Sequence, residues 1–409
     1  MTFPRVTIDQ ATSLIIDHRG KTPKKLGADW TISGHRVISA QNIKGSRIDE
    51  NDHHYVDSRT YAKWMKVPLA AGDTLLTSEA PLGEVAYLQY DVDWVLGQRL
   101  YALRTEPSLA VGRFLFYALQ SPLVRNDLES RATGTTVFGI SQVELRKVQI
   151  PCPPIAEQQR IAEVLGALDD KIESNLRVRN LCRDLGGNLV ADTVRSAPST
   201  QLEHYAASIS RGVTPQYYKD EDASPVLVLN QKCIRDGWVT PELARLMNPR
   251  AREKSQAIAR LDDLLVNSTG QGTLGRVARW DSDDPIYVDS HVTVVKADPR
   301  RIYPVLMPYL VFPLQDEIEH MATGSTGQTE LSPSRLAQLN VPLLSLEEQR
   351  PLSAKLVALE AQAHYCQVQS LKLTELRDAL LPELMSGRMR VDEAGCLVSE
   401  ALDEEVRSV

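Results

Sequence analysis

Two kinds of hydrophobic pattern alternate along the chain. Short apolar runs broken by Gly, Pro, Asn and Asp fill the stretch before Pro151: Arg36-Val-Ile-Ser, Asp73-Thr-Leu-Leu-Thr and Glu84-Val-Ala-Tyr-Leu. Runs of that length between turn formers predict strands. They return as Pro225-Val-Leu-Val-Leu, Asp263-Leu-Leu-Val and Arg276-Val-Ala-Arg-Trp, and helical periodicity appears near Gly112–Glu129 and Tyr303–Met321. Each stretch therefore predicts an α+β body with a mainly antiparallel sheet.

The second pattern is a long helical seam after each body. Past Pro153-Pro154, apolar residues fall at Ile161, Leu165, Leu168 and Ile172, the 4-3-4 spacing of a coiled coil. Asn175 breaks the row; Leu176, Leu181 and Leu185 continue it loosely, and Gly186-Gly187 is the expected stop. In the second seam Ser345 and Glu348 have capping-box spacing. Leu352, Leu356, Leu359, Ala363, Cys366 and Leu373 then keep the alternation until Pro382, with Pro351 placed to kink or restart the helix. A helix over Ala156–Leu185 would be a rod of roughly 45 Å. These seam residues are read as packing, and two such helices behind two equivalent bodies are expected to pair antiparallel and hold the bodies apart.

That equivalence is written into the sequence. Arg19-Gly20-x-Thr22-Pro23 recurs as Arg211-Gly212-x-Thr214-Pro215, and Leu82-Gly83-x-Val85-Ala86 as Leu274-Gly275-x-Val277-Ala278, both shifted by 192. Ala132-Thr133-Gly134-Thr135-Thr136 recurs as Ala322-Thr323-Gly324-Ser325-Thr326 at a shift of 190. Leu145–Pro151 recurs as Leu336–Pro342, and Glu157-Gln158-Gln159-Arg160 as Glu347-Glu348-Gln349-Arg350. A period this long is a duplicated domain, not a solenoid repeat of about 20–50 residues.

Bulk composition narrows the class. At 409 residues the chain exceeds the size of one core. No apolar run reaches a membrane span, the N-terminus lacks the regions of a secretory signal, and the expected location is the cytoplasm. Cys152, Cys182, Cys233, Cys366 and Cys396 are scattered, which predicts reduced thiols and no zinc site. The net charge is −7, but Asp392–Val409 contributes six acidic residues against one basic, so the rest carries only −2. Residues 1–70 carry eleven Lys/Arg against seven Asp/Glu, and residues 205–280 carry eleven against eight. Local potential governs phosphate binding more than the whole-chain sum, so the charge permits nucleic acid.

A search for chemistry mostly removes options. Gly270-Gln271-Gly272-Thr273-Leu274-Gly275 spells the dinucleotide fingerprint, but the strand-like Arg276–Trp280 follows where a helix is required. It reads as a turn. There is no GxxxxGK[ST] loop and no Asn/Asp-Pro-Pro-aromatic tetrapeptide. His53-His54 has no counterpart in the second copy and reads as a surface loop, and no metal site is expected. Asp169-Asp170-Lys171 lies mid-helix as a solvated face. Ser78 and Ser141 lack a His/Asp arrangement.

Recognition residues remain. Lys21, Lys24 and Lys25 flank the first RGxTP turn, where the second copy has Gln216, Tyr217 and Tyr218. Gln41-Asn42-x-Lys44 follows the next strand, and Asn230-Gln231-Lys232 follows it in the second copy. Basic residues suit phosphates, while Gln and Asn can pair with adenine edges and Arg with guanine. Lys21, Lys24, Lys44, Arg211 and Lys232 are thus the phosphate candidates, and Arg19 is a further DNA-binding candidate. Gln41, Asn42, Gln216, Asn230, Gln231 and Gln271 are the base-edge candidates, with Tyr217 and Tyr218 packing on sugar or thymine methyl groups. The framework repeats while the polar loops differ, as expected of two bodies that read two different short sequences.

This arrangement resembles the specificity subunit of Type I restriction–modification systems over nearly the whole chain. The most specific segment is the IPxPPxxEQxxIAExLxxLDxxI-like run at Ile150–Ile172, together with Leu376-Arg377-Asp378-Ala379-Leu380-Leu381 and Ser386-Gly387. The resemblance implies two tandem mixed α/β target-recognition domains separated by two long antiparallel coiled-coil helices, in a pseudo-twofold duplication. The divisions would be 1–153 and 196–344 for the recognition domains, 154–195 and 345–390 for the helices, and 391–409 for an acidic tail. It further implies a non-catalytic subunit that reads one half of a split double-stranded DNA target with each domain. Its helices would dock two methyltransferase subunits, which carry S-adenosylmethionine, and a restriction (translocase) subunit would join the complex. A duplicated scaffold that binds no DNA is the alternative reading of the same repeats.

Overall fold

The computed structural model describes residues 3–49, 54–134, 137–217, 224–248, 255–322 and 329–403. The chain forms two compact units, Met1–Ser174 with Gln369–Val409, and Asn175–Val368.

The first body carries β1 (Arg5–Thr7), β2 (Thr12–Asp17), β3 (His35–Ile38), β4 (Thr74–Thr77), β5 (Val85–Tyr87), β6 (Val95–Leu96), β7 (Leu100–Thr105) and β8 (Gln149–Pro151). Its main sheet has the order β2-β7-β4-β5, antiparallel throughout. Neighbouring residues along these strands enter different cores. Ile15, Leu76, Val85, Tyr101 and Leu103 face the helices, while Ile16, Leu75, Ala86 and Ala102 face a second core around Trp64. Side chains alternate across a strand, so covering both faces requires the apolar runs seen here. The helical stretch predicted over Gly112–Glu129 is two helices, α1 (Gly112–Gln120) and α2 (Pro122–Ser130). Ser121 caps the second and Pro122 takes its first turn, where the missing N–H costs nothing. A smaller sheet sets β3 between β6, which is parallel, and the strand Tyr55–Val56, which is antiparallel. The body closes on itself by pairing β1 with β8, and the chain then enters the 40-residue helix α3 (Ile155–Val194).

The second body repeats the plan with β9 (Ser199–Gln201), β10 (Ala206–Arg211), β11 (Val226–Leu229), β12 (Leu264–Asn267), β13 (Val277–Arg279), β14 (Ile286–Val288), β15 (Val292–Ala297), α4 (Leu306–Val311) and β16 (Asn340–Pro342). The sheet order β10-β15-β12-β13, the parallel pair β11/β14 and the closing pair β9/β16 match the first body strand for strand. The sequence GQGTLG at Gly270–Gly275 lies in the turn between β12 and β13. Two helices follow, α5 (Leu346–Ser386) and α6 (Val391–Asp403). Ser345 and Glu348 form the predicted reciprocal cap, and α5 runs straight through Pro351.

In the first unit Ile161, Leu165, Leu168 and Ile172 share a core with Leu373, Leu380, Leu381 and Leu384. Asp169 meets Arg377 at 2.8 Å, and Arg160 pairs with Asp392 beyond the end of α5, so the helices run antiparallel. The acidic segment is more than a tail: as far as Asp403 it is helix α6, with Val391, Ala394 and Val398 in this core. Their spacing is that of an amphipathic helix.

In the second unit the seam departs from the sequence reading. Asn175 does not break the row; it is buried in it, and Cys182, Gly186 and Val190 continue at the same spacing. Leu176, Leu181 and Leu185 point outward, Leu181 with 65% of its surface exposed. On α5, Leu352, Leu356, Ala363 and Cys366 are buried as predicted, but Leu359 is half-buried and Glu360, at 4% exposed, takes the seam.

Nor does α3 stop at Gly186-Gly187. A Cβ on Gly186 would sit 2.7 Å from the Tyr309 ring, whereas one on Gly187 meets nothing within 4 Å. Gly186 therefore makes room for Tyr309, and Gly187 only costs helix propensity. Gly187→Ala is expected to stabilise the second unit by up to about 1 kcal/mol. Gly186→Ala is expected to destabilise it by about 1–3 kcal/mol through overpacking. Thermal unfolding of the two variants should shift in opposite directions; equal shifts would contradict this account.

Candidate nucleic-acid interface

The loops of the two bodies hang on the same backbone hydrogen bonds. In the first, Gly97 N–H donates to Ile38 O, Ser78 N–H to Arg99 O and Ile140 N–H to Ser78 O, at 2.7, 2.8 and 3.0 Å. In the second, Asp289 donates to Leu229 O, Ser268 to His291 O and Leu331 to Ser268 O, each at 2.9 Å. Residues 97–99 are thus equivalent to 289–291, and 78 to 268. After β3, Ser39 caps a short turn of Ala40-Gln41-Asn42; after β11, Asn230 caps Gln231-Lys232-Cys233. Gln41 therefore corresponds to Lys232.

These loops surround a cleft of about 350 Å³ in the first body. Lys21, Thr22, Trp30, Ser39, Gln41, His54, Gln98 and Arg99 line it above a floor of Val37, Ala40, Trp64 and Gly97. Trp30 is half-exposed and meets His54 edge-on, ring centroids 5.0 Å apart. The Arg99 Nε lies 3.2 Å from Glu79. In the second body the corresponding aromatic is Tyr217, exposed beneath the Arg245 guanidinium at 5.0 Å. His291 Nδ1 lies 2.7 Å from Thr269 Oγ1, the counterpart of the Glu79–Arg99 pair.

Several sequence candidates take other places. Asn42 is 1% exposed; its Oδ1 accepts from Ser39 N–H and its Nδ2 donates to Asp49 O. Asn230 is buried likewise, accepting from Lys232 N–H and donating to Leu243 O. Both hold turns, because these side chains satisfy backbone groups as readily as bases, and their amides are spent inside the body. Arg19 makes two hydrogen bonds to Asp17 and one to Ile140 O, and lies 4.4 Å from the Tyr101 ring centroid. Arg211 is held by Glu330, Leu331 O and Ser290 O. These arginines of the repeated RGxTP motif lock the loops to the sheet, each with its guanidinium engaged inside the body. Lys21 reaches Trp64 O at the cleft edge, and Lys44 pairs with Asp49 at 2.7 Å. Burial first, and then Lys21, push His18 down to about 4, so it is neutral here.

Lys24, Gln41, Gln216, Lys232 and Gln271 are exposed, and Gln231 is half-buried with its carbonyl accepting from Asn267. Tyr218 and His53 lie outside the described residues. Trp30, His54, Gln98 and Arg99 were missed by motif reading because they share no motif with their counterparts. Aligning the two copies on their frameworks and searching for mismatches would have found them. Among the described residues no group of His, Cys, Asp or Glu could hold a metal ion, and no helix is long and apolar enough to cross a membrane.

Residues 15–180 match the family described as the Type I restriction modification DNA specificity domain. The chain is 21% identical over 386 residues to the type I restriction enzyme MjaX specificity subunit of Methanocaldococcus jannaschii, covering 88% of each. It is 27% identical over 142 residues to the EcoKI specificity subunit of Escherichia coli, covering 34% of this chain and 30% of that one. The crystal structure of the Type-I restriction-modification system S subunit from M. genitalium superposes with a TM-score of 0.56 at 17% identity, covering 94% of this chain and 96% of that one; the fold is shared. On its domain match over residues 15–180, its near full-length relative and its shared fold, the chain is similar to the specificity subunits of Type I restriction–modification systems.

Proposed function

We propose that the chain is the cytoplasmic, non-catalytic DNA-reading subunit of such a complex. Each body reads one half of a bipartite double-stranded target. Two methyltransferase subunits carrying S-adenosylmethionine dock on the long helices, and restriction subunits join through them. One observation carries this reading: identical framework hydrogen bonds in the two bodies present different exposed side chains, Gln41 against Lys232 and Arg99 against His291. A scaffold for one ligand would gain nothing from that divergence, whereas two readers of different half-sites require it. Docking through the helices is supported by Leu181, Leu185 and Val357, which stand exposed away from the seam; such apolar surface favours a protein partner.

The test is a graft. Replacing residues 1–153 with the equivalent body of a relative, and mapping adenine methylation genome-wide with and without the gene, should change one half of the methylated sequence and leave the other. An unaltered methylated sequence would overturn the reading and favour the scaffold.

A further inference from the structure

Resting on that reading, we infer that Arg99 is the base-reading residue of the first body, that it reads a guanine, and that position 291 reads the corresponding step for the second body. The argument starts from the backbone. The carbonyl of Arg99 is pinned by Ser78 N–H, and its φ is +62°. A left-handed conformation is uncommon outside glycine, and where the surroundings enforce it, it tends to mark a functional position. Here it throws a half-exposed guanidinium to the cleft side of the turn. Glu79 engages Nε, which leaves the two terminal nitrogens for another acceptor.

The cleft itself selects the ligand. Its lining supplies donors: the Lys21 ammonium, the Gln41 and Gln98 amides and the Arg99 fork. The buried Trp64 indole N–H, at its floor, has no acceptor among the described residues. The Arg99 fork, the Lys21 ammonium and the Trp64 N–H only donate and so favour an edge made of acceptors, while Gln41 and Gln98 can donate or accept. In the major groove guanine presents O6 and N7 side by side, spaced for the arginine fork, whereas adenine would set its N6 amino group against the Arg99 guanidinium. Trp30 adds an exposed ring at the rim that can pack on a base or sugar.

The second body shows the position being varied while its backbone hydrogen bonds are kept, although the left-handed φ belongs to Arg99 and not to His291. His291 occupies the place of Arg99, Thr269 that of Glu79, Ser290 that of Gln98 and Lys232 that of Gln41. An imidazole that already contacts Thr269 cannot offer a two-pronged fork, so the second half-site carries a different base at the equivalent step.

A phosphate is also rich in acceptors, and the experiment separates it from a base. The specificity subunit, assembled with its methyltransferase partner, is used to select binders from a randomised DNA library, for the wild type and for Arg99→Ala, Arg99→Lys, His291→Ala and Lys24→Ala. The wild type should enrich a bipartite sequence with an obligatory guanine in one half. Arg99→Ala should lower the preference at that base alone by roughly 10- to 100-fold, and Arg99→Lys by less. His291→Ala should relax one position of the other half. Lys24→Ala should weaken all sequences alike and reduce the salt slope by about one. An intact preference for the untouched half certifies that each variant is folded. Uniform weakening by Arg99→Ala marks a phosphate contact and overturns the inference, as does an unchanged first half. A wild-type complex that enriches no bipartite sequence would instead defeat the proposed function.

Discussion

Glu360→Gln is expected to cost the second unit about 3–5 kcal/mol, the typical penalty for removing one partner of a buried ion pair. Glu360 is 4% exposed; it accepts from Arg279 at 2.8 Å and from the Tyr309 hydroxyl at 2.6 Å. Around it lie Arg179 and Arg183, both within 4 Å of the Trp238 ring centroid at 3.6 and 3.4 Å. Burial, opposed mainly by Glu360, holds Arg183 down to about 10. Without the carboxylate, three arginines share Asp262 and Asp281. The first unit supplies the control. There Tyr117 donates to Asp169 at 2.6 Å and Arg377 pairs with it at 2.8 Å, the same clamp between body and helix. Asp169, however, is part-exposed, and solvent screens such pairs. Asp169→Asn should therefore cost distinctly less. Denaturant unfolding of the full chain, followed by segment-resolved hydrogen exchange, reads each unit separately. A loss below 1 kcal/mol for Glu360→Gln would contradict the clamp.

What the sequence disclosed, and what it hid, follows from what each residue does. The duplication was plain because the RGxTP and LGxVA segments hold the sheets and loops in both copies, and holding requires the same residues twice. The same logic bears on function. Arg19 and Arg211 were read as DNA contacts because they are basic, whereas their recurrence goes with bracing: each is tied to the sheet or loops by hydrogen bonds. The reading positions differ between copies by necessity, so Arg99 and His291 leave no motif. The seam was legible where it is apolar, at Ile161 to Ile172 and Leu352 to Leu356. Its period continues unbroken through Asn175 and Glu360, but a search for apolar residues drifts onto the exposed Leu176, Leu181 and Leu185. The helix end was missed at Gly186 for a steric reason: nothing local announces that a tyrosine from residue 309 needs that space.

Gln158 and Gln349 are the second place where a large effect is expected, and they turn a legible motif into a physical one. The sequence match sets Gln349 against Gln159, but by their hydrogen bonds Gln158 and Gln349 are the equivalent pair. Gln158 accepts from Val111 N–H and donates to Leu109 O and Pro153 O, all at 2.9 Å. Gln349 accepts from Tyr303 N–H at 3.1 Å and donates to Arg301 O and Leu344 O at 3.0 and 2.9 Å. Both are essentially fully buried. Each ties the first turn of a long helix to the segment before the body's helices, using the one acceptor and two donors that an amide side chain provides. Gln158→Leu or Gln349→Leu keeps the volume but orphans an N–H and two carbonyls, at about 1–3 kcal/mol for each unsatisfied group. A loss of about 3 kcal/mol or more is expected in the unit concerned. Because the two sites share no partner, the double variant should lose the sum. Gln158→Glu separates donor loss from volume. Its carboxylate would face two carbonyl oxygens, which raises its folded pKa above the ordinary value near 4.3. The penalty is then full above the folded pKa and shrinks as pH falls through it toward the unfolded value, so this variant should approach the wild type in acid while Gln158→Leu stays equally behind. A Gln158→Glu deficit that does not change with pH would show that the amide's donors are not what holds the helix to the body.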